Sequence, residues 1–333
     1  MKTSCTSSIR RKLMLGAAAA MLLTQSTFAQ APAWPTRPVK IVIGTGPGSV
    51  TDTIARLYAP RLEAIWKQPV IVENKAGAGG IIGSEYTLAS KDGHTLLFAS
   101  PSMLLAKFTS QNLRFDPETD LVPVYRVMNT PVIFVTNTKT AQSAKTMADM
   151  VSLSKTKTDG VFFAGVGPSG FFNVSMALLA KPMGVRYSAI DYNGMGPLTL
   201  SVMRDDTQLA LTSHLSVKGQ LDAKELHAFA VVDRKRLGNL PDVPTLEEAV
   251  GYKGFLPISW GGIFVPKGTP AVAINAMAQG FGALYADEAA RKSLEARLSA
   301  NLIQSSPEQF AREYAEEAGV WKNVFATQGI KSQ

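Results

Sequence analysis

Three places in this chain share one pattern, in which a short apolar run leads into a glycine-rich loop and then into a helical pattern. The loops occupy 44–48, 77–80 and 165–170. A strand, a tight glycine turn and a helix in this order form a βα unit, and repeated units build a mostly parallel sheet covered by helices. The pattern therefore predicts an α/β fold, and the 333 residues leave room for about two domains.

Apolar runs and helical periodicity continue along the rest of the chain. Predicted strands cover 39–43, 70–73, 95–98, 132–136, 161–164, 185–190, 209–211 and 228–232. Predicted helices cover 51–66, 81–89 and 173–180. In the tail, Ser306 is followed three residues later by Gln309, a spacing that predicts a capping box at the start of a long helix.

The first 29 residues have the composition of a secretory signal peptide. Four basic residues and no acidic ones precede the apolar stretch 13–23, and Thr27-Phe28-Ala29 fits a cleavage site. The apolar stretch is too short for a membrane span, which needs about 20 residues. We therefore predict that 1–29 is removed on export. Arg10-Arg11 leaves both the general and the twin-arginine export route open.

Removal of the leader changes the charge and the cysteine content. The full chain has 34 basic and 26 acidic residues, and the loss of the four basic leader residues leaves 30 against 26, a net charge of +4. No block of like charge remains, which argues against a nucleic-acid partner. The single cysteine, Cys5, leaves with the leader, so the mature chain has no disulfide.

The glycine loops allow two interpretations. Glycine accepts positive φ and close backbone approach, so the N–H groups at the following helix start can face an anion such as a carboxylate. Each loop is equally well explained as a tight turn with no ligand. Three such loops in one chain favour an anion pocket.

The third loop also fits a dinucleotide fingerprint. Gly165-Val166-Gly167-Pro168-Ser169-Gly170 has the G-x-G-x-x-G spacing, and Asp191 follows 21 residues after Gly170. A nucleotide-dependent enzyme is therefore an alternative. Against it, Pro168 removes one N–H from the cradle, and exported proteins seldom meet nicotinamide cofactors. We predict no cofactor.

Other catalytic and metal-binding patterns are absent from the sequence. It contains no phosphate loop, no H-E-x-x-H and no G-x-S-x-G. The three histidines, His94, His214 and His227, lack the spacing of metal ligands. We therefore predict no catalytic residues and no metal site.

Six segments occur in a characteristic order. They are WPTRPVKIV from Trp34, VIVENKAGAGG from Val70, DGHTLL from Asp92, DPETD from Asp116, LPDVPT from Leu240 and WGGIFVPKGTP from Trp260. Together they resemble the Bug family, the extracytoplasmic solute-binding proteins of tripartite tricarboxylate transporters. The resemblance extends over 34–330.

This resemblance implies a two-domain periplasmic-binding-protein fold with hinge strands and a ligand cleft. The first domain would take 30–128 and 258–333, and the second 129–257. The hinge strands would be 127–136 and 258–265. The implied protein is a monomer that captures a small organic acid for a membrane permease. A sensory binding protein for a signalling partner is an alternative that the sequence leaves open.

The resemblance also implies which residues meet the ligand. They are Thr45, Ser49, Val50 and Thr51 in the first loop, Ala78, Gly79 and Gly80 in the second, Gly167, Pro168, Ser169 and Gly170 in the third, then Tyr192 and Asn193, and finally Ser213 and His214. Backbone N–H groups of 49–52 and 79–80 would hold the carboxylate. Asp52 is assigned to helix capping and not to ligand contact.

The sequence departs from the family pattern in both lobes of the cleft. Gly44-Thr45 and Gly48-Ser49 replace Pro-Phe and Gly-Gly in the first loop. Val166, Pro168 and Phe171 stand where the family often has Gly-Asn-Gly-Thr followed by His, and Asn193 takes a usual lysine position. Burying an unpaired charge is costly. We therefore expect a monocarboxylate with an apolar or aromatic body.

Overall fold

Two β-sheets organise the protein. The computed structural model describes residues 34–167, 170–286, 288–298 and 300–328, so the predicted signal peptide lies outside the described residues. The strands are β1 Val39–Ile43, β2 Val70–Asn74, β3 Thr95–Ala99, β4 Leu121–Thr130, β5 Val132–Asn137, β6 Val161–Gly165, β7 Tyr187–Asp191, β8 Leu209–Ser213, β9 Leu226–Val231, β10 Ser259–Pro266 and β11 Asn301–Leu302.

Helices connect most of these strands. They are α1 Val50–Trp66, α2 Ile81–Ala89, α3 Pro101–Thr109, α4 Thr138–Ser143, α5 Met147–Thr156, α6 Phe171–Met183, α7 Met195–Met203, α8 His214–Asp222, α9 Leu246–Val250, α10 Ala271–Ala283, α11 Glu288–Leu298 and α12 Pro307–Gln328. A short 3₁₀ turn, Ala78–Gly80, precedes α2. Within the described ranges, no helix is both long and apolar enough to cross a membrane.

The first sheet has the strand order β11-β4-β10-β3-β1-β2. Strand β1 runs parallel to β2 and β3, so the loops after these three strands emerge at one edge. Strand β10 is antiparallel to both β3 and β4. We call this sheet and the helices packed on it, α1 to α3 and α10 to α12, the first lobe.

The second sheet has the order β7-β6-β8-β5-β9. Strand β6 is parallel to β7 and β8, whereas β5 is antiparallel to β8 and β9. This sheet and helices α4 to α9 form the second lobe. The prediction of mostly parallel sheets was therefore right for the βα units and wrong for the rest. Each sheet is mixed because one crossing strand, β10 in the first sheet and β5 in the second, runs opposite to both of its neighbours, and β11 also runs opposite to β4.

The crossing strands lie at the junction of the lobes. Strand β4 of the first sheet continues through Pro131 alone into β5 of the second. The returning strand β10 pairs with β4 along its whole length, from Ser259 opposite Thr130 to Pro266 opposite Leu121. The predicted hinge segments 127–136 and 258–265 overlap the end of β4, most of β5 and most of β10, while the domain boundaries stay a prediction.

An apolar cluster runs from one lobe into the other. It includes Leu97 and Trp321 of the first lobe and Phe134, Phe171 and Leu179 of the second, all buried. Burial of such a side chain contributes about 1.5–3 kcal/mol relative to exposure. The lobes are therefore joined by packed side chains as well as by the crossing strands.

Two local predictions need correction. Ser306 Oγ accepts the Gln309 N–H at 3.1 Å as predicted, but Gln309 Nε2 donates to Glu313 at 2.8 Å, so only half of the capping box forms. Strand β7 begins at residue 187 and not at 185. The reason is that the Val185 N–H closes the preceding helix by donating to Ala180 O at 2.9 Å, with Gly184 at φ 73°.

Candidate functional site

The first two glycine loops lie against each other at the carboxyl ends of β1 and β2. A Cβ atom on Gly44 would lie 2.9 Å from the Cα of Gly80, and one on Gly83 would lie 2.9 Å from the Cα of Gly44. The N–H of Lys75 donates to Ile43 O at 2.8 Å. The absence of side chains at these glycines therefore lets the two loops form one continuous surface.

Three hydroxyl groups gather at the start of α1. Thr45 Oγ1 lies 2.6 Å from Ser49 Oγ and 2.8 Å from Thr51 Oγ1. Ser49 is the N-cap residue, since its Oγ accepts the Asp52 N–H at 3.3 Å. A helix start carries partial positive charge, and hydroxyls can rotate to donate, so the cluster suits a carboxylate. Val50, also predicted as a ligand residue, packs half-buried on the first-lobe core.

Asp52 is engaged entirely within the first lobe. Its Oδ2 accepts the Gly48 N–H at 2.9 Å, and its Oδ1 accepts Arg56 Nε and Asn74 Nδ2, each at 2.9 Å. Asn74 also donates to Thr45 O at 3.1 Å. Burial acts to raise the pKa of Asp52, but the hydrogen bonds from Arg56, Gly48 and Asn74 outweigh it and lower the pKa. The carboxylate thus orients the loop, although the cap itself is Ser49.

We expect the variant Asp52→Asn to lose about 2 kcal/mol of stability at pH 7, because it weakens charge-assisted hydrogen bonds. A carboxyl whose pKa is lowered on folding stabilises the protein above its unfolded pKa, and that contribution disappears as the pH falls through the folded pKa. The deficit should therefore shrink in acid. Urea unfolding at pH 7 and at pH 3 measures it, with exposed Asp242→Asn as control. An equal deficit at both pH values would contradict this assignment.

The second loop has an unusual backbone. Four consecutive residues have positive φ, namely Gly77 at 137°, Ala78 at 48°, Gly79 at 66° and Gly80 at 100°. The Gly80 N–H donates back to Gly77 O at 3.0 Å, which closes the turn. Ala78 and Gly79 are exposed, and they lie at the same edge of the first sheet as the hydroxyl cluster. Such a curl is accessible chiefly to glycine.

The third loop is held by Asp191. The Gly167 N–H donates to Asp191 Oδ1 at 3.1 Å, and Asn173 Nδ2 donates to the same oxygen at 2.7 Å. Asn173 Oδ1 in turn accepts the Val166 N–H at 2.9 Å. A dinucleotide site would need this acidic side chain for a ribose hydroxyl. Here it fixes the loop instead.

Of the other predicted ligand residues in the third loop, only Gly170 belongs to the described residues. Gly170 is buried, and its N–H donates to Gly167 O at 2.9 Å. Pro168 and Ser169, both predicted as ligand residues, lie outside the described residues. Among the residues that are described, no three of His, Cys, Asp or Glu are grouped to hold a metal ion.

The remaining second-lobe residues differ in their availability. The Tyr192 N–H donates to Gly165 O at 2.9 Å, which places exposed Asn193 beside the third loop. Ser213 is the N-cap of α8 and hydrogen-bonds Ser216 Oγ at 2.6 Å. The Ser213 hydroxyl is thus already hydrogen-bonded within the second lobe. Its predicted contact with the ligand stays a prediction.

His214 is 2% exposed and lies at the crossing between the lobes. Its N–H donates to Pro131 O at 2.9 Å, and its Nδ1 lies 3.3 Å from Asn239 Nδ2. Burial lowers the pKa of His214, and the charge of Lys218 lowers it further. The imidazole is therefore a neutral packing group, and its predicted contact with the ligand is untested.

One residue at the site was missed by sequence reasoning. Ser102, in the first turn of α3, accepts the Phe171 N–H at 3.1 Å and so joins the first lobe to the start of α6. The available signal was its position just after β3, at the sheet edge shared with the first two glycine loops. A polar residue at a strand's carboxyl end belongs among the candidates in such a sheet.

Comparison with known proteins identifies the family. The tripartite tricarboxylate transporter family receptor matches residues 54–330. A structure of Rpa4515 from R. palustris with adipate is 26% identical, with a TM-score of 0.84 over 90% of this chain and 100% of that one. The periplasmic binding protein BugD is also 26% identical, with a TM-score of 0.81 over 90% and 100%. MatC from Rhodopseudomonas palustris with bound malate is 26% identical, with a TM-score of 0.79 over 87% and 99%.

These matches decide between the alternatives raised by the sequence. The Bug resemblance is confirmed, and so is the two-domain periplasmic-binding-protein fold. The family and the structural neighbours are receptors and binding proteins, so the nucleotide-dependent enzyme is not supported. Since the match covers well over half of its 333 residues, the chain belongs to the tripartite tricarboxylate transporter receptor family.

Proposed function

We propose that the protein captures a small carboxylate between its two lobes in the periplasm and delivers it, as a monomer, to a membrane permease. The observation that carries this proposal is the cluster of Thr45, Ser49 and Thr51 hydroxyls at the start of α1, next to the curled second loop. The similar structures that contain adipate and malate support a carboxylate as the ligand. The predicted leader 1–29 supports export.

The ligand would be held by both lobes. In the first lobe, the hydroxyl cluster and the backbone of exposed Gly79 would bind one carboxylate, whereas the Gly80 N–H that the sequence also suggested is already bonded to Gly77 O. In the second, the third loop and Tyr192-Asn193 would contact the body of the ligand. With the predicted domain division, 30–128 with 258–333 against 129–257, these groups would lie on opposite sides of the crossing strands. Two lobes joined in this way close by hinge bending.

The second lobe supports an apolar ligand body. Val166 is apolar and half-buried and exposed Asn193 carries no charge, whereas the Phe171 ring is buried against Trp321. A second carboxylate would therefore meet no cation from these residues, which favours a monocarboxylate. Adipate and malate each carry two carboxylates, so the choice between one and two acidic groups is an experimental question for this chain.

A thermal unfolding screen tests the proposed function. The purified mature chain is heated with benzoate, hexanoate, adipate and malate, and with NAD and ATP as controls. A ligand that binds only the folded state adds about 2.7 kcal/mol of stability at a hundredfold excess over its Kd. We expect such a shift with at least one carboxylate and none with either nucleotide. Stabilisation by a nucleotide alone would contradict the proposal.

A further inference from the structure

Glu317 of α12 joins two tryptophans at the contact between the lobes. The Nε1 of Trp260 donates to its Oε2 at 2.6 Å, and the Nε1 of Trp321 donates to its Oε1 at 3.1 Å. Trp260 lies on the crossing strand β10, and Trp321 lies one turn further along α12. Both rings are at most 1% exposed. Within the described ranges Glu317 forms no ion pair; Arg126, which pairs with Glu313 at 2.8 Å, acts on it through its charge alone, and the indoles are its hydrogen-bond partners.

Trp321 packs against the second lobe. Its ring centroid lies 5.5 Å from that of Phe255 at an interplanar angle of 86°, and 6.4 Å from that of Phe171 at 81°. Both arrangements are edge-to-face, the geometry that aromatic pairs prefer. Phe255 lies in the segment that returns to β10, and Phe171 begins α6 directly after the third glycine loop. The ring therefore packs against two segments of the second lobe. The segment of Phe171 leads to the cleft, and the segment of Phe255 leads to the hinge.

Phe171 is held by the first lobe in a second way. Its N–H donates to Ser102 Oγ at 3.1 Å, while its ring meets Trp321. Phe171 is also one of the positions at which this chain departs from the family pattern. A change in the angle between the lobes must alter the contacts of Trp321 with Phe171 and Phe255, since α12 packs on β4 of the first sheet.

We propose that Glu317 is a positioning residue for lobe closure. It fixes the Trp321 ring as the surface on which the second lobe rests, and it ties that ring to the crossing strand through Trp260. Glu317 thereby sets the distribution of lobe angles, and with it the ligand affinity, without touching the ligand. The effect on affinity rests on the proposed carboxylate-binding function, whereas the effect on lobe angle does not.

The test begins with the protein free of ligand. Spin labels on Arg61→Cys and Lys181→Cys, both exposed, report the distance between lobes, and the mature chain has no other cysteine. A glutamine has one carbonyl oxygen, so Glu317→Gln cannot accept both indole N–H groups on separate oxygens. We expect its distance distribution to be broader than that of the wild type. Trp321→Phe keeps a ring but removes one donor, and should broaden the distribution as well.

The double variant shows whether Glu317 acts through Trp321. In Trp321→Phe only the Trp260 donor remains, and one glutamine oxygen can accept it, so adding Glu317→Gln should cause no further broadening. Glu313→Gln is the matched control. Glu313 lies one turn earlier on α12 and pairs with Arg126 at 2.8 Å. Glu313→Gln should leave the distribution of spin-label distances unchanged. Urea unfolding verifies that each variant is folded.

Affinity provides the second readout, with hexanoate as the probe. Glu317→Gln should weaken hexanoate binding by about tenfold relative to the wild type, and Glu313→Gln should not. An unchanged distance distribution in Glu317→Gln would overturn the inference, whatever the affinity. If instead the distribution broadens but no carboxylate binds the wild type, the proposed function is wrong and the positioning role of Glu317 stands.

Discussion

Gly79→Val is expected to weaken carboxylate binding by at least about a hundredfold, a change that corresponds to about 2.7 kcal/mol. Gly79 has φ 66° and ψ 17°, in the left-handed region that a β-branched side chain rarely adopts. The valine would force the second loop out of its curl and add a side chain on the face that we assign to the carboxylate. Isothermal titration with the carboxylate that stabilises the wild type most measures the loss.

Gly93→Val is the matched control for Gly79→Val. Gly93 has the same φ of 66°, and a Cβ there would meet nothing within 4 Å. It precedes β3, at the opposite edge of the first sheet from the glycine loops. Both variants carry the cost of a left-handed residue, about 1–2 kcal/mol, so their stabilities should fall alike. Only Gly79→Val should lose binding. Equal affinities for the two variants would place the ligand away from this loop.

Asn193→Lys should shift the ligand preference toward dicarboxylates by about tenfold, which corresponds to about 1.4 kcal/mol. Asn193 is exposed, and the Tyr192 N–H bond to Gly165 O holds it beside the third loop. A lysine there would place a cation next to the distal end of the ligand. The measurement is the ratio of the Kd values for adipate and hexanoate, which share a six-carbon chain and differ by one carboxylate.

Asn193→Met separates the charge from the length of the new side chain. Methionine has a reach close to that of lysine but no charge, so it should leave the adipate-to-hexanoate ratio as in the wild type. The lysine effect should also weaken at high salt, because exposed charges are screened. Identical ratios for the lysine and methionine variants would mean that residue 193 does not face the ligand.

Local patterns in the sequence predicted the individual elements closely. Strand β1 and helix α2 have the predicted bounds, and the three glycine loops follow strands as expected. These features depend on neighbours a few residues apart, through side-chain periodicity and the backbone freedom of glycine. The same local reasoning missed α3, and with it Ser102, because nothing near that segment showed which distant donor it would meet.

The amino-acid sequence by itself determined the βα units, the glycine turns and, through six short segments in order, the family. Tertiary structure alone decided how those units were used. It set the antiparallel pairings in each sheet, the bond from Asn74 to Asp52, the engagement of Asp191 by Gly167 and Asn173, and the pairing of Trp260 with Glu317 across 57 residues. The reason is physical. Each buried donor or acceptor needs a partner, but which partner it finds depends on where the crossing strands place the two lobes.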